Sequence, residues 1–135
     1  MNTKVILSAT GILLFFSGAA LAFLPQETAA GVGLVPALQL TLILQMLSAA
    51  LLGLGILNWF SRANLIGGIY GRPLALANFL FFFVSSTALV RAVLHHPEPM
   101  PILCAAALGV LFTVAFAWLL FFHDPVGKKP EEERG

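Results

Sequence analysis

Four polar side chains in the middle of the sequence carry groups that could bind something: Asn58, Arg62, Arg72 and Asn78. The first two end one apolar run and the last two begin the next. The intervening turn therefore brings the two asparagines back to a similar depth. Two amides can hydrogen-bond to each other across helices, and two guanidinium groups can bind an anionic headgroup.

These four residues support two interpretations. In the first, Asn58 and Asn78 hold two helices together while the arginines anchor the turn at anionic headgroups. In the second, the four side chains form a polar pocket that opens to the cytoplasmic leaflet. Such a pocket would bind a lipid headgroup or another amphiphile with an anionic end. The sequence favours the first interpretation, because interhelical hydrogen bonds commonly hold bundles together.

The residue pattern gives little support to metal or cofactor chemistry. His95, His96 and Glu98 lie close in sequence, but adjacent histidines on a helix point about 100° apart. A haem held between helices needs two histidines at the same depth, and His123 falls on the opposite side of the membrane from the other two. We therefore predict no metal and no cofactor. The single cysteine, Cys104, is interpreted as a small apolar packing residue.

The apolar runs also lack the residues that proton-coupled transport usually needs. They contain no Asp, Glu or Lys, whereas proton-coupled pumps usually carry such a residue within a span. No G-x-S-x-G, H-E-x-x-H, paired-cysteine or phosphate-loop motif occurs in the sequence. We predict no catalytic residue, and a non-enzymatic protein is favoured.

Composition predicts the elements that carry these residues. The chain has 135 residues, of which 59% are hydrophobic and 10% charged, against about 45–50% and about 25% in soluble domains. Four apolar runs reach about 20 residues, enough to cross a membrane as helices. We predict an all-α membrane protein, an up-and-down bundle of four transmembrane helices at about 5–24, 36–60, 73–95 and 101–122. These helices form one domain, 1–124, followed by a short disordered cytoplasmic tail, 125–135.

The distribution of positive charge predicts the orientation. Six of the seven Lys and Arg residues fall at the N-terminus, in the central turn and in the tail, and such charges mark the cytoplasmic side. We therefore expect a multi-pass protein of the cell inner membrane with both termini cytoplasmic. Trp59, Tyr70 and Trp118 would anchor the cytoplasmic interface. Residues 1–22 also resemble a cleaved signal peptide ending in A-x-A, but the run is long enough to span, which favours a retained helix.

Small residues predict where helices approach each other closely. Ala49 and Gly53 in the second run have the spacing that brings helix backbones together. The fourth run repeats small residues every four positions, which predicts one tight contact with the second helix or with another subunit. The residues of that stripe are Ala105, Gly109, Thr113 and Ala117.

The layout resembles several small bacterial four-helix membrane families, the DoxX-like proteins among them, in length and hydropathy alone. The leading hypothesis is a small accessory or lipid-interacting membrane subunit whose partners are the bilayer and a second copy or another membrane protein. One alternative is an oligomeric carrier for an amphiphile, built around Asn58 and Asn78. Another is a membrane enzyme acting on a lipid or quinone. No basic patch suggests nucleic acid, and the net charge is only +1.

Overall fold

The computed structural model of the chain describes residues 3–63, 71–95 and 100–122. The regular structure of these residues is entirely α-helical, and four of the five helices are long and apolar enough to cross a membrane. This agrees with the predicted helical class and with a multi-pass membrane protein. The helices are α1 (Thr3–Phe23), α2 (Pro25–Gly31), α3 (Leu38–Ser61), α4 (Gly71–His95) and α5 (Met100–Phe121).

The ends of the long helices differ from the predicted ends by up to two residues. Helix α4 begins at Gly71, so Pro73 lies in its first turn. A proline is tolerated there because the N–H it lacks has no intrahelical acceptor. Several predictions fall on residues that are not described: those for the tail 125–135, Tyr70, His96, Glu98 and His123.

Helix α2 is a short helix where the sequence predicted only a loop. Pro25 occupies its first turn, and the carbonyl of Leu24 accepts hydrogen bonds from both the N–H and the hydroxyl of Thr28. The connection to α3 then passes through Gly33, whose φ of +79° suits glycine. The predicted loop therefore contains a short helix.

Helices α1 and α3 form the first hairpin, which is held by contact between backbones. A Cβ added to Gly55 would lie 2.8 Å from the backbone nitrogen of Phe15 and 3.1 Å from the carbonyl oxygen of Gly11. A Cβ added to Gly18 would lie 3.0 Å from the carbonyl oxygen of Ser48. Later residues of α1 thus meet earlier residues of α3, and the two helices are antiparallel.

Helices α4 and α5 form the second hairpin, which is held by side chains. The ring of Phe82 stacks on Phe112, with centroids 5.0 Å apart, and on Phe116, with centroids 6.0 Å apart. The hydroxyls of Ser86 and Thr113 are 3.3 Å apart and hydrogen-bond to each other. This hairpin is also antiparallel and is filled mainly by aromatic rings.

The two hairpins meet over a smaller contact than the one within each hairpin. Buried apolar side chains from all four long helices nevertheless form one core, with Leu7, Leu51, Leu74 and Phe116 among them. Large apolar side chains are exposed on every long helix, as expected of a surface that faces lipid.

The predicted small-residue contacts are met only in part. In α3, Ala49 and Gly53 are exposed, and a Cβ on Gly53 would meet open space. The contact within the chain uses Gly55 instead, because Gly55 lies on the face turned toward α1. Contact of Ala49 and Gly53 with another subunit therefore stays a prediction.

The stripe on α5 packs against α4 along part of its length. Gly109 is buried against Ser86, Thr113 and Ala117 are half-buried, and Ala105 is exposed. The helix that faces Gly109 is therefore α4 and not α3, which the sequence had offered as a partner.

Candidate functional site

Asn58 and Asn78, the amide pair, bond to each other where α3 ends and α4 begins. The Nδ2 group of Asn58 donates to Oδ1 of Asn78 at 2.8 Å, and the Nδ2 group of Asn78 donates to Oδ1 of Asn58 at 2.9 Å. Both side chains have 0% of their surface exposed. The structure thus contains the interhelical bond that the sequence favoured.

Each asparagine is also tied to its own helix. The second hydrogen of each Nδ2 group goes to the carbonyl oxygen four residues earlier, that of Leu54 for Asn58 and that of Leu74 for Asn78, both at 2.9 Å. A carbonyl oxygen can only accept, so these bonds fix which way each amide points. All four amide N–H groups of the pair are used, and none is left to donate to a ligand.

The two arginines of the predicted pocket lie at the adjoining helix ends. Arg62 directly follows the last residue of α3, and its guanidinium carbon is 3.4 Å from the centroid of the Trp59 ring. This is a stacked cation–π contact, in which the flat guanidinium covers the ring face. Arg72 is exposed in the first turn of α4. Trp59 is 40% exposed and Trp118 is half-buried near the end of α5.

A groove that the sequence did not predict runs along the outer surface of the first hairpin. Its volume is about 250 Å³, and Gly11 and Gly55 form its floor because they have no side chains. Apolar side chains of both helices form its walls. The apolar groove, as we call it, is lined by Gly11, Ile12, Phe15, Phe16, Gly55, Ile56, Trp59 and Phe60.

The second hairpin has a wider and shallower depression near the far end of α4. It has a volume of about 480 Å³ and an apolar lining of residues such as Val90, Leu94 and Val110. The guanidinium–tryptophan contact described above belongs to the first hairpin. The stacked guanidinium–tryptophan pair therefore lies beside the apolar groove and not beside this second depression.

Comparison with known proteins adds no assignment. No family model, no curated protein and no solved structure matches this chain. The likeness to small four-helix bacterial families thus rests on length and hydropathy alone.

Within the described residues, the side chains that commonly bind metals do not cluster. No group of three or more His, Cys, Asp or Glu side chains comes together within residues 3–63, 71–95 and 100–122. His95 is exposed at the end of α4, and Cys104 is exposed on α5. The interpretation of Cys104 as a packing residue inside this chain is therefore wrong, because its side chain faces outward.

Sequence reasoning missed the residues that form the apolar groove, although a signal was present. Gly11 and Gly18 are seven residues apart on α1, and Ser48 and Gly55 have the same spacing on α3. Residues seven apart lie on one face of a helix, just as residues four apart do. A search for both spacings would have found the close face of α1 and the facing residues of α3.

Proposed function

We propose that this chain is a non-enzymatic, lipid-interacting protein of the cell inner membrane, with both termini in the cytoplasm. The observation that carries the proposal is the closed amide pair. Asn58 and Asn78 are fully buried, and their four amide N–H groups are all used within the protein.

A carrier would need these groups for its cargo. A binding site keeps some polar groups directed into a cavity, where they orient the ligand. An amphiphile could reach the amides only if the bonds between Asn58 and Asn78 broke. The geometry therefore favours a structural role for the pair over the alternative of an amphiphile carrier built around it.

Lipid interaction is supported by the end of α3. Arg62 stacked on Trp59 places a cation and an amphipathic ring side by side at a helix end. That combination suits the boundary between headgroups and hydrocarbon, where tryptophan is enriched and arginine extends toward phosphates. The apolar groove begins at the same ring.

Competition between two lipids in native mass spectrometry tests the proposal. Purified, delipidated chain would be mixed with equal amounts of phosphatidylglycerol and phosphatidylcholine. We expect the protein to retain the anionic lipid in preference to the zwitterionic one. Retention of neither lipid would contradict a lipid-interacting role, and equal retention of the two would contradict a preference for anionic lipid. Uptake of an anionic amphiphile by proteoliposomes would support the carrier instead.

An accessory subunit is the second candidate, and the outer face of α3 is the observation that favours it. Ala49 and Gly53 are exposed there, in the arrangement that allows another helix to approach. We expect Gly53→Leu to abolish crosslinks between chains and to leave monomer stability unchanged, because a Cβ on Gly53 meets open space. A wild-type chain that forms no crosslinks would argue against this candidate.

Cysteine labelling tests the orientation. In a Cys104→Ala background, Ser61→Cys places a single thiol at the last residue of α3. We expect a membrane-impermeant maleimide to label it only when the cytoplasmic face is accessible. Labelling of intact cells from outside would reverse the proposed topology.

A further inference from the structure

We propose that the apolar groove of the first hairpin binds one acyl chain of an anionic phospholipid, whose phosphate is held by Arg62. The proposal rests on the lipid-interacting function above and names its site and its ligand. It follows from the floor, depth, size and charge of the groove.

The floor of the groove is a permanent feature of the hairpin. Gly11 and Gly55 approach so closely that a Cβ on either would meet the backbone of the other helix at 2.8–3.1 Å. No side chain can therefore rise from the floor while the helices stay in contact. The walls come from larger residues on both sides, Phe15 and Phe16 on α1 and Ile56 and Phe60 on α3.

The depth of the groove corresponds to the hydrocarbon of one leaflet. With a rise of about 1.5 Å per residue, Gly55 lies about 9 Å and Trp59 about 3 Å from the end of α3 at Ser61. One leaflet contributes about 15 Å of the hydrocarbon core. The groove thus starts near the headgroups and ends within the acyl-chain region of the same leaflet.

The size and lining of the groove fit a stretch of hydrocarbon. Its volume of about 250 Å³ is below the roughly 300–1,000 Å³ of pockets that hold drug-sized ligands. All eight lining residues are apolar or aromatic, so a polar ligand would lose its hydrogen bonds there. A segment of a single acyl chain meets both conditions.

The positive charge of Arg62, at the end of the groove, favours a lipid with an anionic headgroup. Arg62 lies over Trp59, which is itself a wall of the groove. Stacking uses the flat face of the guanidinium, and its N–H groups point outward along its edge, where they can bind a phosphate in bidentate fashion. One bound lipid therefore places its phosphate at Arg62 and one of its chains between α1 and α3.

Titration of purified full-length variants with phosphatidylglycerol, followed by native mass spectrometry, tests both halves of the site. Arg62→Gln removes the headgroup contact, and Ile56→Trp fills the groove from its wall. We expect Arg62→Gln to bind the lipid about tenfold more weakly, since a charge-assisted hydrogen bond to the phosphate is lost. Ile56→Trp should also bind it more weakly, because the added ring occupies the space of the acyl chain.

Matched controls separate a site from general attraction. Arg91→Gln removes an exposed cation near the other end of α4, and Leu57→Trp adds the same ring to a neighbouring exposed position that does not line the groove. Both controls should bind like the wild type. If Ile56→Trp fails to fold, Ile12→Trp fills the groove from α1 and should weaken binding equally.

Two results would overturn the site. One is wild-type binding by Arg62→Gln or by the folded groove-filling variant. The other is an equal loss in the controls, which would mean diffuse attraction of lipid. In both cases, a wild-type preference for phosphatidylglycerol over phosphatidylcholine would leave the proposed function standing. Retention of neither lipid by the wild type would remove the function as well.

Discussion

The two hairpins pack their helices together in opposite ways. In the first, glycines bring the backbones of α1 and α3 into direct contact and leave a groove outside. In the second, Phe82, Phe112 and Phe116 fill the space between α4 and α5 with stacked rings. Lipid is as apolar as these side chains, so helix association depends on close packing and hydrogen bonds rather than on burial.

The difference determines what each hairpin can tolerate. A backbone atom cannot move aside when a methyl group is added, whereas a neighbouring side chain can adjust to some extent. A ring between helices, in contrast, leaves a large cavity when it is removed. The first hairpin should therefore be sensitive to additions and the second to deletions.

The largest effect should come from deleting a ring in the second hairpin. Phe116 is fully buried, and Phe116→Ala should reduce the free energy of unfolding by about 3 kcal/mol, the low end for such changes. The low end applies because lipid also solvates the ring when the helices separate. Unfolding in mixed detergent micelles measures the change. Phe121→Ala, at an exposed position, is the control, and equal effects would contradict the ring-filled core.

Adding a methyl group to the first hairpin should have the next largest effect. Gly55→Ala should cost about 2 kcal/mol, in the range for overpacking, because the new Cβ meets the backbone of Phe15 at 2.8 Å. Gly53→Ala, two residues earlier and facing open space, should leave the unfolding midpoint unchanged. Equal unfolding midpoints for Gly55→Ala and Gly53→Ala would disprove the backbone contact.

Breaking the joint between the hairpins should cost less. Asn78→Leu should lower stability by about 0.6–2 kcal/mol, the range for interhelical hydrogen bonds. Part of that loss comes from leaving the amide of Asn58 buried without its partner. The double variant with Asn58→Leu should therefore lose less than the sum of the single variants. Strict additivity would show that the two amides do not act together.

Adding a methyl group at Gly109 in the second hairpin tests the difference between the two hairpins directly. A Cβ on Gly109 would lie 3.0 Å from the Cβ of Ser86 and 3.4 Å from its Cα. This contact is looser than the one at Gly55 and requires α4 to shift by a few tenths of an ångström, so Gly109→Ala should cost about 1 kcal/mol, the low end for overpacking. A larger loss than that of Gly55→Ala, under the same unfolding conditions, would reverse the proposed difference between the hairpins.

The smallest effect should be a gain in stability. Within the described residues, the hydroxyl of Thr10 is the one buried side-chain polar atom that has no hydrogen-bond partner. Thr10→Val removes this hydroxyl while keeping the shape, and should stabilise the chain by at most about 1 kcal/mol. Thr87→Val deletes a hydroxyl that bonds to Phe83 and should bring no gain. Destabilisation by Thr10→Val would indicate a partner for that hydroxyl.

The sequence predicted the long helices and the bond between Asn58 and Asn78, because each follows from a strong local signal. Apolar runs of spanning length have few alternatives to helix, and two amides at one depth have few other partners. The choice between Gly53 and Gly55 could not be made in the same way. It depends on how α3 is rotated, and a helix that is apolar on all sides carries no stripe to fix that rotation.

The seven-residue spacings indicate the close faces of α1 and α3, but the groove outside them could not be predicted for a related reason. It exists only because Gly11 and Gly55 meet each other, and their meeting is set by the register between α1 and α3. The short helix α2 escaped prediction because seven residues are too few to show a periodic pattern.

Each hairpin is continuous in sequence, which has a consequence for synthesis. Residues 3–63 leave the ribosome before residues 71–122, so α1 and α3 can complete their contact while the second half is still being made. During that interval the Oδ1 atom of Asn58 lacks the donor that Asn78 later supplies. When α4 packs against α3, the Nδ2 group of Asn78 donates to this Oδ1 atom. The new hydrogen bond stabilises docking of the second hairpin on the first. Two separately expressed halves, divided within 64–70, should accordingly find each other in one membrane.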